Sequence, residues 1–168
     1  DLLLLARLDE GRELELRPVR LGRMLGEIVA DARAAGPEHP ISFDAPEVEV
    51  RVDADEGRLR QVFVNLLANA RVHTPEATPI EVSLRLDGKR VRVRVHDAGP
   101  GIDPAIRDTL FERFVRADSS RSRVAGSTGL GLAIAHAVVL AHHGSLDVDS
   151  EPGATTFTVS LPRSAPVG

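Results

Sequence analysis

The chain has 168 residues, 42% of them hydrophobic and 27% charged, enough to bury one core but not to build several domains, and too apolar for disorder. A balance of 21 basic to 25 acidic residues gives a net charge of -4, and aromatics make up 3% with no Trp or Tyr; duplex wrapping and base stacking are therefore excluded, and no nucleic-acid partner is expected. The absence of Cys removes thiol nucleophiles, disulfides and zinc–cysteine sites and fits a reducing compartment, while no apolar run approaches the ~18 residues of a membrane-spanning helix, so the segment reads as soluble.

In chain order, residues 2–8 form an apolar helical pattern closed by Asp9-Glu10-Gly11, too short to stand alone in water. Residues 13–18 read as an extended linker. Leu21, Leu25, Ile28, Val29 and Ala32 then recur at helical spacing up to Gly36-Pro37, predicting a first amphipathic helix. Residues 41–45 and 48–52 read as strands separated by Pro46, and Asp55 is the expected N-cap of a helix running to about His73. Ile80, Val82, Leu84 and Leu86 alternate, Asp87-Gly88 turns, and Val91, Val93 and Val95 alternate back: a hairpin with one buried face. A Gly- and Arg-bearing stretch, residues 98–128, precedes a last helix over about 129–142, with Leu130, Ile134, Val138 and Ala141 on one face. Residues 145–148 and 156–161 supply closing strands, and 163–168 a polar tail. The pattern is an α+β, two-layer sandwich: a mixed, mostly antiparallel sheet of about five strands with about three helices on one face. No internal repeat is present.

Four groups of residues can carry chemistry. Two residues beyond Val95, Asp97 falls on the hairpin's buried face, where a carboxylate must find donors or face a cavity; Ala98-Gly99-Pro100-Gly101 supplies bare backbone against which a planar ligand could lie. The residues leave this open against a carboxylate that merely caps its own turn. Asn65 and Asn69 lie one turn apart beside a core stripe of Leu59, Val62, Phe63, Leu66 and Ala70. They are either surface amides or neutral oxygens suited to a magnesium ion whose negative ligands come from phosphates. Gly126-Ser127-Thr128-Gly129-Leu130-Gly131 precedes the last helix, where backbone N–H groups and the helix dipole attract anions. Its spacing is not the dinucleotide fingerprint, and with Lys89 the only lysine no P-loop exists. Between these groups, Arg116, Arg121 and Arg123 against Asp118 make a locally basic stretch that suits a triphosphate; it reads either as a flexible lid or as an ordinary solvated loop.

Taken as a set, the order and spacing of these motifs resemble the ATP-binding catalytic region of bacterial two-component sensor histidine kinases, with its Bergerat fold. Residues 61–75 resemble that family's N box, Asp97 to Ile102 its G1 box, Phe111 to Arg116 its F box, and Gly126 to Ile134 its G2 box. The resemblance implies that Asp97 accepts a hydrogen bond from the adenine amino group, that Asn69 holds Mg2+ with Asn65 beside it, and that Arg116 reaches the terminal phosphate. It places Gly129 and Gly131 along the phosphate path, residues 117–128 in an ATP lid, and Gly99, Gly101, Ile102, Phe114, Gly126, Thr128, Leu130, Leu132 and Thr156 among the ATP-binding positions, with Asn65 and Arg116 as the catalytic pair.

By the same resemblance residues 1–16 are the end of a dimerisation and phosphoacceptor helix with its linker, 17–162 the ATP-binding catalytic domain, and 163–168 a tail. The expected reaction moves the γ-phosphate of Mg-ATP to a histidine upstream of Asp1, for relay to an aspartate of a response-regulator receiver domain. The parent is expected to be a membrane-anchored homodimer with this domain in the cytoplasm. Where gyrase- and Hsp90-type ATPases carry a water-activating glutamate this chain has Asn65, and an amide is no general base, so transfer is expected over hydrolysis. Val72 stands where the family commonly has Lys or Arg, with Arg71 and Arg113 as candidate substitutes. That departure motivates one alternative, a nucleotide-binding regulatory pseudokinase; an ATP-hydrolysing clamp is a further one. His142-His143 is expected to be solvated or capping rather than metal-binding.

Overall fold

A computed structural model of the chain describes residues 13–111 and 131–164. Its main sheet has five strands in the order β2-β4-β5-β7-β6: β2 (Ile41–Asp44), β4 (Ile80–Asp87), β5 (Arg90–Asp97), β6 (Ser145–Glu151) and β7 (Ala154–Pro162). β2 runs parallel to β4 and every other pairing is antiparallel. A separate two-stranded ribbon joins β1 (Arg17–Arg20) to β3 (Arg51–Ala54). The expected linker is thus partly a strand, because Val19 turns into the core while Arg17, Pro18 and Arg20 stay exposed. β3 begins later than the sequence pattern placed it, with Val48 left 59% exposed before it.

Alternation drives the central hairpin. Ile80, Val82 and Leu84 from β4 and Val91, Val93 and Val95 from β5 are all buried, each contributing roughly 1.5–3 kcal/mol of apolar burial. Asp87 pairs with Arg90, so the loop is Gly88-Lys89, and Gly88 sits at φ 59, as the first position of a II′ hairpin turn favours.

Three helices, α1 (Leu21–Ala35), α2 (Glu56–Val72) and α4 (Gly131–Ala141), cover one face of this sheet, with a single turn, α3 (Pro104–Arg107), after β5. In α1, Leu21, Met24, Leu25, Ile28, Val29 and Ala32 form the buried stripe. In α2 the Asp55 side chain accepts from the Arg58 N–H, and Leu59, Val62, Phe63, Leu66, Leu67 and Ala70 face inward, the cap and stripe the sequence predicts. α4 is apolar nearly all round, as suits a helix held between α2 and the sheet edge. Ile134 and Val138 are buried in it together with Ala133, Ala135 and Val139. Ala141, expected on the same face, is exposed: in a helix this uniformly apolar, periodicity does not single out an inner side.

The expected tail begins tied down. Arg163 N–H donates to the Lys89 carbonyl (2.8 Å) and Ser164 N–H to the Arg51 carbonyl (3.1 Å). Among the described residues no helix is long and apolar enough to cross a membrane.

Candidate functional site

The period of β5 carries its inner face from Val91, Val93 and Val95 to Asp97, which is only 6% exposed. Its Oδ1 accepts from the Gly99 N–H at 3.0 Å; Oδ2 takes no hydrogen bond from the other described residues. Burial pushes the Asp97 pKa up, opposed in part by the Gly99 N–H and by the nearby His96 and His73. Side chains are kept away from this carboxylate: a Cβ on Gly99 would sit 2.5 Å from Thr74 Cγ2 and 2.8 Å from Asp97 Oδ1. Gly101 is required twice over, by its φ of 88 and by a Cβ position 2.6 Å from the Glu151 carbonyl oxygen.

The loop is anchored from beneath by a buried hydroxyl pair. Ile102 N–H donates to Ser150 Oγ at 2.8 Å, and Ser150 Oγ lies 2.8 Å from Thr155 Oγ1. Arg107 donates to the Ser150 carbonyl. Thr155 pairs directly with Asp97 across β5 and β7, so those two share the inner face. The expectation that Thr156 lines the site is therefore corrected: Thr156 pairs with His96 on the opposite face, where Thr156 Oγ1 meets His96 Nδ1 at 2.8 Å. A one-residue step along a strand exchanges faces, and the Thr155-Thr156 doublet concealed which side was meant.

Asn65 and Asn69 project from α2, both half-buried. Asn65 is already committed: Oδ1 accepts from Gln61 Nε2 (2.7 Å) and Nδ2 donates to the Gly131 carbonyl (3.1 Å), tying α2 to the start of α4. The Asn69 side chain bonds to no other described residue, while its carbonyl accepts the His73 N–H (3.1 Å). From Asn65 to His73 is about 12 Å of helix at ~1.5 Å per residue. At its far end His73 lies near enough to Asp97 to feel its charge. His73 is an exposed residue, yet the protein atoms round its ring push its pKa down, with Asp97 opposing. α2 therefore runs from the first residue of α4 to the rim of the Asp97 hollow.

Gly131 and Leu132 open α4, with Leu132 half-buried against the core. Phe111 stacks on His136 at 4.8 Å between ring centroids and meets Phe157 edge-on at 6.5 Å. Phe114, Arg116, Gly126, Thr128, Gly129, Leu130 and the stretch 117–128 lie outside the described residues, as does Arg113. Val72 is 38% exposed. Arg71 does not take its place: its guanidinium and Cδ pack over Gly36, at 2.7 and 2.9 Å from where a Cβ there would be, on the side of α2 that meets the end of α1.

Sequence reasoning passed over His73, Thr74, Ser150 and Thr155, whose parts depend on contacts between distant segments. His142 is buried rather than solvated and takes the capping role, the other half of the expectation. Buried to 6% exposure, its Nδ1 pairs with the Val138 carbonyl (2.8 Å) and its Nε2 accepts the Asp55 N–H (3.0 Å), tying the end of α4 to the start of α2. Among the described residues no three His, Asp or Glu side chains cluster closely enough to hold a metal.

Residues 54–165 match the family model described as histidine kinase-, DNA gyrase B-, and HSP90-like ATPase, and the chain belongs to that family. Within it the likeness is to sensor histidine kinases. The chain is 53% identical over 162 residues to the probable sensor histidine kinase TcrY of Mycobacterium tuberculosis, covering 96% of this chain and 34% of that protein. It is 41% identical over 162 residues to the phosphate regulon sensor protein PhoR of Pseudomonas aeruginosa, covering 94% and 36%. The chain thus spans about a third of the length of these relatives. Among solved structures, the mycobacterial sensor histidine kinase MprB superposes with a TM-score of 0.77 at 30% identity, covering 88% of this chain and 98% of that one. Full-length ShkA in complex with AMPPNP gives 0.85 at 32% identity, covering 99% and 35%.

Proposed function

We propose that the chain is the Mg-ATP-binding catalytic domain of a longer sensor histidine kinase. The observation that carries this reading is the buried Asp97 carboxylate, one oxygen held by the Gly99 N–H and the other uncommitted, over a floor where a side chain cannot fit. The uncommitted oxygen suits a purine amino group, and the bare backbone suits the ring. The 32% identical ShkA was solved with AMPPNP, which supports the same ligand class here.

The donor set fits magnesium carried in with the nucleotide. Asn69 offers a neutral amide oxygen with no competing bond among the described residues, and a metal held this way takes its anionic ligands from phosphates. When bound, the ion neutralises phosphate charge. Asn69 would hold it, Asn65 would keep α2 and α4 in register, and Arg116 would meet the terminal phosphate. Phosphoryl transfer needs mainly positioning and charge compensation, and Asn65, an amide, cannot activate water as a base. Transfer to a histidine on an upstream dimerisation domain follows, with relay to a response-regulator aspartate. Residues 17–162 would be the catalytic unit and 1–16 the end of that upstream domain, in a membrane-anchored homodimeric parent.

A second reading, a nucleotide-binding module that transfers nothing, is favoured by one observation: Arg71 turns to Gly36 and so does not substitute for a basic residue at Val72. Incubating the chain with a phosphoacceptor domain and ATP labelled at the γ-phosphate separates the two. Acid-labile, alkali-stable label on the acceptor is expected. Tight ATP binding with no transfer would replace the kinase by the regulatory module, and steady phosphate release without acceptor would point to a hydrolytic clamp.

A further inference from the structure

Three loops meet beside Asp97. Residues 73–79, between α2 and β4, lie between the loop 36–40 that leaves α1 and the loop 97–101 that follows β5. Ala77 N–H donates to the Glu38 carbonyl (2.8 Å) and Ile80 N–H to the Pro40 carbonyl (2.9 Å) on one side, and Ala98 N–H donates to the Pro79 carbonyl (3.4 Å) on the other. One side-chain bond crosses the first of these seams: His39 Nε2 lies 3.0 Å from Thr74 Oγ1 and 3.4 Å from the Thr74 carbonyl.

The proton positions follow from the partners. Thr74 Oγ1 is 2.7 Å from the Ala70 carbonyl, which only accepts, so the hydroxyl proton goes there. Its lone pair then faces His39, and the Thr74 carbonyl can also only accept; both require His39 Nε2 to carry a hydrogen. His39 is 5% exposed, and its Nδ1 is buried without a hydrogen-bond partner, the nearest carboxylate oxygen being Glu38 Oε1 at 3.8 Å. A phenyl ring or an aliphatic side chain would fill this place without leaving that nitrogen stranded, so packing alone does not account for an imidazole here. What the imidazole supplies is the Nε2–H. With Oγ1 held from both sides, Thr74 has one rotamer, and that rotamer points Cγ2 at Gly99, 2.5 Å from where a Cβ would be.

We infer that His39 is a positioning residue for purine recognition: it fixes Thr74, whose methyl group supports the Gly99 backbone and so sets the aim of Asp97. The inference rests on the reading that Asp97 and Gly99 receive adenine. Released from His39, Thr74 can rotate, the Gly99 N–H can move, and Asp97 Oδ1 loses a fixed donor. The damage falls on discrimination at the purine 6-position, where ATP presents a donor and GTP an acceptor, rather than on the phosphates at the other end of α2.

The test measures the affinity of the whole chain for ATP and for GTP by calorimetry, alongside thermal unfolding. His39→Phe keeps the ring and loses the donor; His39→Gln returns an N–H close to the Nε2 position. His39→Phe is expected to weaken ATP binding by about fivefold to tenfold, the effect of one lost buried hydrogen bond, to leave GTP binding near its parental level, and so to narrow the ATP-to-GTP ratio. His39→Gln should restore most of that ratio, which a purely structural loss would not allow. If His39→Phe fails to fold, Thr74→Val, which keeps the shape and removes the hydroxyl, carries the same measurement. An unchanged ratio in the folded variants, or a Gln variant as impaired as Phe, overturns the inference. If Asp97→Ala leaves parental ATP affinity intact, the adenine reading fails first and takes this inference with it; if Asp97→Ala abolishes selectivity while His39→Phe is silent, only the role of His39 falls.

Discussion

Around Asp97 the polar groups are held by hydrogen bonds, Asp97 to the Gly99 N–H, Ser150 to Thr155 and the Ile102 N–H, and Thr74 to His39, with Asp97, Ser150, Thr155 and His39 buried and Thr74 half-buried. Around Asn69 there are half-buried amides, one engaged as a strut and one without a side-chain bond among the described residues. The first end is preformed by its own contacts; the second, among the described residues, has few, and under the proposed function it would meet a ligand that brings its own charge and metal. The preformed end keeps the Asp97 carboxylate largely out of water, and this is a standing cost to stability. The amide end carries no such cost, since a neutral group at a half-exposed position remains satisfied by water.

The largest effect is expected from breaking the preformed end at its backbone. Gly101→Ala must abandon a positive φ, worth roughly 1–3 kcal/mol of strain, and must also move the Glu151 carbonyl, which is part of β6 and cannot swing aside. Loss of measurable ATP binding with a lowered Tm is expected in calorimetry and thermal unfolding; a variant with parental affinity would show that the loop can be rebuilt without its left-handed residue. Asn69→Ala, at the other end, should leave Tm almost unmoved and remove roughly 1 kcal/mol from binding, about fivefold, only when magnesium is present. Equal losses with and without magnesium would make Asn69 an ordinary polar contact and dissolve the contrast between the two ends.

Much of the preformed end could be read from local pattern. Period-two alternation in β5 carries straight to Asp97, and Gly99 and Gly101 mark a backbone that side chains would obstruct. The cap at Asp55 and the stripe of α2 were equally plain, because each depends on residues within a few positions of one another. What escaped was long-range. Thr155 and Thr156 are neighbours of like chemistry, and only the register with β5 says which of them shares a face with Asp97. His39 and Thr74 are separated by two strands and the whole of α2, and Arg71 sits beside the expected phosphate position in sequence yet on another side of α2 in space. Such placements are decided by how elements pack, and helical or strand periodicity carries no information about a partner on another element.

The finest test of the contrast is the pH dependence of stability without nucleotide. Burial raises the Asp97 pKa, so the folded chain holds this proton to a higher pH than the unfolded chain, in which an Asp titrates near ~3.9. Between those two values the native state binds more protons, and stability must fall as pH rises; above the raised value the loss is complete and constant. Asp97→Asn removes the titration while keeping an oxygen for the Gly99 N–H. The Tm of Asp97→Asn minus that of the parent should therefore start low in acid, climb through the window above ~3.9, and level off at a higher value once the parent's loss is complete. His73 contributes in the opposite sense, its lowered pKa removing stability as pH falls below its unfolded value, and because the Asp97 charge opposes that shift, Asp97→Asn deepens this loss on the acid side and steepens the climb of the difference. The same substitution should weaken ATP binding, so one variant would be the more stable and the less competent. A Tm difference that is flat with pH would mean that the Asp97 carboxylate is not held at a cost, and that the preformed end is no more strained than the amide end.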